Sequence, residues 1–206
     1  AGAVEQHRIA LLAGLEAEQL EIAPLEISTD GTQAKVLVFD VYGRGHLKFA
    51  DEVWVPYAGG QIVPEVDGEH LSRISVVQRY ADGERHIVNG LFKGVHVDRG
   101  AVSVFWPAPY PYFVSVGASA EEMRDNLLRL DQQIGGCLVT DGQQDLASLA
   151  LDIYGVMADT NLDGLLGATR QIDAALEDLG NRNEGEPVVN KLLTLFISLD
   201  RFGFMV

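Results

Sequence analysis

The chain has 206 residues, with 30 acidic and 15 basic side chains and a net charge of −15. An acidic surface repels phosphate groups, and the basic residues form no cluster, so the composition argues against binding to nucleic acid or to an anionic membrane. Hydrophobic residues make up 47% of the chain, which is typical of a folded globular protein. Cys137 is the only cysteine, so an intramolecular disulfide is excluded and we expect a reducing, cytoplasmic location.

An α-helix is predicted over residues 3–19, where apolar residues recur at helical spacing. The charged residues Glu5 and Arg8 within it argue against a secretory signal. Short runs rich in valine, isoleucine, phenylalanine and tyrosine follow, separated by glycine, aspartate and proline. They predict strands over residues 21–28, 34–42, 46–57, 72–80, 84–92, 95–97, 101–106 and 112–116.

Residue usage changes near residue 118, after which alanine, leucine and glutamine dominate and β-branched clusters become scarce. Ser119 and Glu122 form a capping box that opens the next helix. Helices are predicted over residues 119–134, 143–158, 161–179 and 187–199.

Strands followed by helices predict an α+β fold rather than an alternating βαβ one. We expect a curved, mainly antiparallel sheet of about six to eight strands, with an N-terminal helix and a C-terminal helical layer. The sheet domain would cover residues 1–136. The helical layer would cover residues 137–206 and pack on the same core.

One segment, Asp159-Thr160-Asn161-Leu162-Asp163-Gly164, has the spacing that opens an EF-hand calcium loop. The ligands would be Asp159, Asn161 and Asp163. Arg170 stands where the loop needs a bidentate glutamate, so the second half of the pattern fails. The alternative is that Asp159 or Asn161 caps a helix, with Asp163 in its first turn. The sequence favours the cap; it predicts no cofactor and leaves calcium open.

Histidines suggest a second metal hypothesis, in which His96 and Asp98 share a strand face and His86 lies on a neighbouring strand. Such a set could hold zinc or iron, although no HxH or HExxH spacing supports it. Cys137 has no histidine near it in sequence, which favours a small buried side chain over a nucleophile. Phosphate-binding glycine loops and the hydrolase nucleophile elbow do not occur.

Aromatic residues predict an apolar pocket on the sheet, surrounded by polar groups that could bind a small molecule. The proposed aromatic walls are Tyr42, Trp54, Tyr57, Trp106 and Tyr110. The proposed polar groups are Asp40, Arg44, His46, His86 and His96.

The predicted final helix is apolar nearly all round, and the tail that follows it is apolar too. This pattern indicates either a central buried helix or a subunit interface. The interface candidates are Leu192, Leu193, Phe196, Phe202 and Phe204.

Two function classes remain. The favoured one is a non-enzymatic binding or assembly protein, such as a scaffold, adaptor or chaperone-like homo-oligomer. A dimer is the favoured assembly, and a different protein partner stays open. The alternative is a small-molecule-binding protein or enzyme that uses the aromatic pocket.

Overall fold

The computed structural model describes residues 10–42, 46–79, 84–107, 112–182, 188–189 and 192, with the backbone alone at 41–42, 46–50 and 79. These residues form an α+β fold with a mixed, mostly antiparallel sheet of ten strands and two α-helices. The α+β class is therefore confirmed, and the sheet is larger than the six to eight strands expected.

Strand bounds follow chain order: β1 (Glu26–Ile27), β2 (Gln33–Tyr42), β3 (His46–Ala58), β4 (Gln61–Ile62), β5 (Glu65–Val66), β6 (Glu69–His70), β7 (Ser72–Arg79), β8 (Arg85–Phe92), β9 (Ala101–Trp106), β10 (Tyr112–Gly117), β11 (Gly136–Asp141) and β12 (Gln144–Ala150). The large sheet has the order β12-β11-β9-β10-β7-β8-β2-β3-β4, and β1 pairs with β2. Strands β5 and β6 form a separate two-stranded sheet. Strand β2 joins β8 in parallel along two residue pairs, Val38 with Leu91 and Phe39 with Phe92.

Helices cover both faces of the sheet. Helix α1 (Ala120–Leu130) packs on one face and α2 (Leu162–Asp178) on the other. Strand β9 illustrates the division, because neighbouring side chains on a strand point to opposite faces. Ala101 and Phe105 belong to the core under α1, whereas Val102 and Val104 belong to the core under α2.

A row of small polar side chains crosses four strands on the α1 face. Ser103, Ser115, Ser75 and Asn89 are successive cross-strand neighbours in β9, β10, β7 and β8. The hydroxyl of Ser103 donates to that of Ser115 at 2.7 Å, and the hydroxyl of Ser75 donates to Asn89 Oδ1 at 2.7 Å. Asn89 Nδ2 then donates to the carbonyl of Gln19 at 2.9 Å. This row satisfies buried polar groups and ties the N-terminal segment to the sheet.

The predicted N-terminal helix is not found in the described residues. Residues 1–9 lie outside them, residues 11–14 form a turn, and Ala17–Leu20 is a short 3-10 helix. The apolar pattern nevertheless predicted burial correctly, at Leu12, Leu15 and Leu20.

Two local features replace the α-helix at this place. Gly14 has φ +74°, a left-handed conformation that interrupts a right-handed helix. The amides of Leu11 and Leu12 donate to the carboxylate of Asp131, at 3.1 and 2.9 Å. Because Asp131 lies just past the end of α1, a long-range acceptor supplies the hydrogen bonds that a helix would have supplied locally.

The prediction of a helix over residues 143–158 is wrong. Strands β11 and β12 form a hairpin there, with Asp141 opposite Gln144 and Gly142 at φ +53° in the turn. Ala147 and Leu149 are buried while the Ser148 between them is exposed, which is the period-two pattern of a strand.

The predicted boundary between residues 136 and 137 falls inside β11, which pairs with β9. The large sheet therefore continues across that boundary. Residues 137–206 are not a purely helical layer, since they contribute most of one strand and all of another.

Other predictions divide as follows. Helix α2 confirms the helix predicted over residues 161–179, and α1 confirms the core of the one predicted over 119–134, with Ser119 as its N-cap. Residues 95–97 form a loop rather than a strand. Val188, Val189 and Leu192 are helical and buried, and the rest of 187–199 lies outside the described residues. Within the part of the chain that the structure describes, no helix is both long and apolar enough to span a membrane.

Candidate functional site

An open polar basin of about 550 Å³ lies where β7 begins and β8 ends. Its charged and titratable lining residues are Glu69, His70, Lys93, His96, Asp98 and Arg182. Both signs of charge therefore meet in one cavity, together with two imidazoles that can donate or accept hydrogen bonds.

The loop between β8 and β9 positions this basin, because it is fastened on two sides. On one side the amide of Val97 donates to the hydroxyl of Ser72 at 2.8 Å. On the other, the amide of Asp98 donates to the carbonyl of Leu179 at 2.8 Å. Residues just after α2 thus hold the loop that carries His96 and Asp98.

His96 and Asp98 form the closest pair of titratable side chains in the basin. His96 Nε2 lies 2.9 Å from Asp98 Oδ1, and the rings of His70 and His96 meet edge to face with centroids 5.8 Å apart. Asp98 also packs against Gly180, where an added Cβ would lie 2.2 Å from Asp98 Oδ2. The pair remains open to solvent, and can exchange hydrogen bonds or a proton with a bound molecule.

Asn181 closes the floor of the basin. Its Oδ1 accepts a hydrogen bond from the amide of His96 at 3.0 Å, which sets the orientation of the side-chain amide. Its Nδ2 is buried and, within the described ranges, has no hydrogen-bond partner. A buried donor without a hydrogen-bond partner carries a desolvation cost, which nothing in the described residues offsets at this position.

The basin brings together only part of the predicted histidine cluster. His96 and Asp98 are adjacent as expected, although in a loop rather than on a strand. His86 lies six residues before the end of β8, which is about 20 Å away along the strand. Across the described part of the chain, no group of three or more histidine, cysteine, aspartate or glutamate side chains is arranged to hold a metal ion. A zinc or iron site stays a prediction.

Trp106 and His86, two residues of the predicted pocket, lie in the same row of cross-strand neighbours. Trp106 faces Tyr112, Tyr112 faces Gln78, and Gln78 faces His86, on β9, β10, β7 and β8. Gln78 is buried, and its Oε1 has no hydrogen-bond partner among the described residues. This row lies at the opposite end of β7 and β8 from the basin.

The remaining members of that pocket are placed elsewhere. Trp54 is on β3, five strand positions from Trp106, which corresponds to about 24 Å. Its ring packs instead under Lys35, whose Nζ is 4.9 Å from the ring centroid. A hydrogen bond from Lys35 to Glu26 raises the pKa of that lysine. Trp54 and Trp106, whose side chains the structure describes, therefore do not line one pocket.

In the antiparallel ribbon formed by β2 and β3, Asp40 pairs with Lys48 and Tyr42 pairs with His46. Arg44 and Tyr110 lie outside the described residues. Ligand binding by these four predicted residues, Asp40, Tyr42, Arg44 and His46, and by Tyr110 stays a prediction.

The Asp159 segment contains the helix cap that the sequence favoured. Asn161 is the N-cap of α2, and its Oδ1 accepts a hydrogen bond from the amide of Gly164 at 2.8 Å. Asp163 lies in the first turn, where its negative charge interacts favourably with the positive end of the helix dipole. Asp159 and Asp163 are both exposed, and calcium binding there stays a prediction.

Cys137 is a buried side chain of β11. Burial raises the pKa of its thiol to about 12, with a smaller contribution from the charge of Asp173. The thiol is therefore protonated at neutral pH, which agrees with the predicted role as a small buried residue and disfavours a nucleophile.

An exposed apolar surface, which we call the apolar corner, was missed by the sequence analysis. Nine large apolar side chains are exposed in the described part of the chain, and six of them lie between residues 134 and 166. These six are Ile134, Tyr154, Met157, Leu162, Leu165 and Leu166. The incorrect helix over 143–158 concealed Tyr154 and Met157, because it placed them in a helix instead of in the turn that follows β12.

Of the predicted interface residues, Leu192 is fully buried in the core under α2. The other four, Leu193, Phe196, Phe202 and Phe204, lie outside the described residues. Homo-oligomer formation stays a prediction.

Comparison with known proteins identifies the family. The sequence model of the adenine deaminase C-terminal domain matches residues 47–199, about three quarters of the chain. The chain belongs to the adenine deaminase C-terminal domain family.

Individual relatives agree with this assignment. The chain is 39% identical over 100 residues to an adenine deaminase from Oceanobacillus iheyensis, an alignment that covers 48% of the chain and 17% of the relative. It is 25% identical over 176 residues to one from Halalkalibacterium halodurans, covering 85% and 26%. It is 24% identical over 155 residues to one from Desulforamulus reducens, covering 75% and 26%. The chain thus spans about a quarter or less of the length of these curated relatives.

The family match overturns the favoured functional prediction. The prediction of a non-enzymatic scaffold, adaptor or chaperone-like protein is wrong, because the chain belongs to the adenine deaminase C-terminal domain family and the matched relatives are named as adenine deaminases. The alternative, which included an enzyme, agrees better with the finding. That prediction rested on the absence of a complete catalytic constellation, whereas the similarity covers only one part of larger enzymes.

Proposed function

We propose that this chain acts as a domain of an enzyme that deaminates adenine. The family match over residues 47–199 carries the proposal, and the named adenine deaminases support it. Deamination of adenine replaces the exocyclic amine with oxygen from water and releases ammonia. The alignments leave about three quarters or more of each of these relatives outside the matched region, so we propose that the chain works together with a part of that kind.

Ammonia release from adenine tests this proposal. The protein that carries this chain, in its natural full length, is incubated with adenine, and ammonia and the 6-oxopurine product of hydrolysis are quantified. Adenosine serves as the substrate control, because it has the same amine but carries a ribose on the ring. We expect ammonia from adenine and little from adenosine. Absence of ammonia from adenine would refute the proposed function.

Within this function we assign the basin to ligand binding, as the sequence analysis predicted for His96. Donors on Lys93 and Arg182 and acceptors on Glu69 and Asp98 suit a polar heterocycle that both donates and accepts hydrogen bonds. No single lining residue carries this assignment; the mixture of groups around one cavity does.

Two histidine variants test the basin. His96→Asn removes the imidazole that pairs with Asp98, and we expect it to raise the KM for adenine several-fold. His86→Asn is the matched control, because His86 was also predicted to bind ligand but lies about 20 Å from the basin. Equal KM values in the two variants would remove the basin from ligand binding and leave the proposed function of the domain standing.

A further inference from the structure

The apolar corner is a large exposed hydrophobic surface for a single domain. Tyr154 is 83% exposed, Leu162 68% and Met157 56%. Together the six side chains expose on the order of 500 Å², which matches the largest apolar patch of a typical monomer. Such patches mark sites where another protein surface packs.

The six side chains occupy one place in the fold. Leu162, Leu165 and Leu166 share a face of α2, since residues three and four apart are neighbours on a helix. Leu165 also lines a small cavity of about 210 Å³ together with Trp106 and Gly136. The corner therefore begins at the first turns of α2 and reaches the end of β9 and the start of β11.

The turn that carries Tyr154 reaches the same place from the other side. At Gly155 an added Cβ would lie 2.3 Å from Pro107 and 2.7 Å from the carbonyl oxygen of Ile134. At Gly135 an added Cβ would lie 2.4 Å from the carbonyl oxygen of Gly155. Neither glycine leaves room for a side chain, so the turn packs closely against the residues that flank Trp106 and Gly136.

Tyr154 is held in a conformation that tyrosine rarely adopts. Its φ is 54° and that of Gly155 is 73°, and the amide of Val156 donates to the carbonyl of Ile153 at 3.1 Å. A bulky residue in the left-handed region costs about 1–2 kcal/mol, and such strain concentrates at functional positions. The strained turn presents the aromatic ring of Tyr154 outward, where within this domain it is almost fully exposed.

We propose that the apolar corner is the surface on which the remaining part of an adenine deaminase packs. This inference rests on the proposed function, because the partner corresponds to the three quarters or more of the relatives that lies outside their alignment with this chain. An interface between domains buries about 600–1,500 Å², and the corner supplies the apolar centre of one. Asp152, Asp159 and Asp163 are exposed in the same stretch of the chain, so the partner surface is expected to be apolar at its centre and basic at its rim.

Oxidation by hydroxyl radicals, read residue by residue by mass spectrometry, tests the packing in the natural full-length protein. Met157 and Met123 form a matched pair, since Met123 is fully buried in this domain and Met157 is half exposed. We expect Met157 to oxidise within about threefold of the rate of Met123, while Trp54, exposed on β3, remains reactive. A Met157 that oxidises more than tenfold faster than Met123 is uncovered, and would overturn the proposal.

Variants test whether packing on the apolar corner is what protects Met157 from oxidation. The double variant Leu162→Gln with Leu166→Gln weakens the corner without altering a buried residue, and we expect it to raise Met157 oxidation at least fivefold. Ile27→Gln, an exposed apolar residue on β1, is the control and should leave Met157 protected. Protection that is lost on dilution, as native mass spectrometry shows identical copies separating, would mean that a second copy covers the corner and would overturn the proposal.

Ammonia release from adenine, measured on the same samples, separates the two failures. Deamination with an exposed Met157 refutes the docking surface alone. A protected Met157 without deamination refutes the proposed function, and with it the named partner.

Discussion

Asp131 is expected to hold the N-terminal segment on the fold, and its removal gives a sharp test. The side chain is 4% exposed, and its two oxygens accept hydrogen bonds from the amides of Leu11 and Leu12. Hydrogen bonds to a charged group contribute about 1.5–3 kcal/mol each. The Leu11 amide is only partly buried and can return to water. We therefore expect Asp131→Ala to lower the free energy of unfolding by about 3 kcal/mol.

Denaturant unfolding measures this loss, and hydrogen exchange locates it. The amide of Leu12 should exchange much faster in Asp131→Ala, because it is buried and loses its acceptor. Asp145→Ala is the matched control, since that exposed carboxylate pairs with Arg129 at the surface and should contribute about 0–1 kcal/mol. A loss below about 1 kcal/mol in Asp131→Ala, with unchanged exchange at Leu12, would refute the reasoning.

Two further predictions concern Tyr154 and Cys137. Because Tyr154 has φ 54°, we expect the free energy of unfolding of Tyr154→Gly to be about 0.5–1 kcal/mol higher than that of Tyr154→Ala. Equal free energies of unfolding would show that the turn is not strained. The folded pKa of Cys137, about 12, lies above the ordinary thiol value of 9.0, so its stabilising contribution is complete below pH 9 and is lost as the pH rises toward 12. Relative to Cys137→Ala, the native protein should lose about 1.4 kcal/mol per pH unit in that window. Parallel pH profiles of the two proteins would contradict this.

Local sequence signals predicted those elements whose hydrogen bonds are local. Ser119 and Asn161 cap α1 and α2 through bonds to residues three positions ahead, so a short sequence window contains the information. The strands β7 and β8 were equally accessible, because their side chains alternate and their pairing is antiparallel. The Asp-Gly turn between β11 and β12 carried the same kind of signal, but the leucines and alanines of β12 were interpreted by their helix propensity.

Long-range contacts explain the remaining differences. The N-terminal segment lost its helix to a carboxylate about 120 residues away in sequence, and no local pattern reports such a contact. The basin has the same origin, because His70, His96 and Asn181 come from three separate segments. Only the proximity of His96 to Asp98, two residues apart, could be expected beforehand. The exposure of the apolar corner was not predicted, because helical spacing does not report which apolar side chains the rest of the fold covers.

The parallel seam between β2 and β8 has a consequence for the order in which the chain folds. Strand β2 meets β3 across a short connection, but its partner on the other side, β8, is made about fifty residues later. Pairing β2 with β8 closes a long loop and forms only two residue pairs. Early in folding, the entropy lost on closing this loop therefore exceeds the stabilisation that the two pairs provide. The hairpin of β7 and β8 should therefore assemble first, and the β2–β3 ribbon should be captured last. Phe39, buried at that seam, would stay exposed until then, which makes the ribbon the segment most open to mispairing during synthesis.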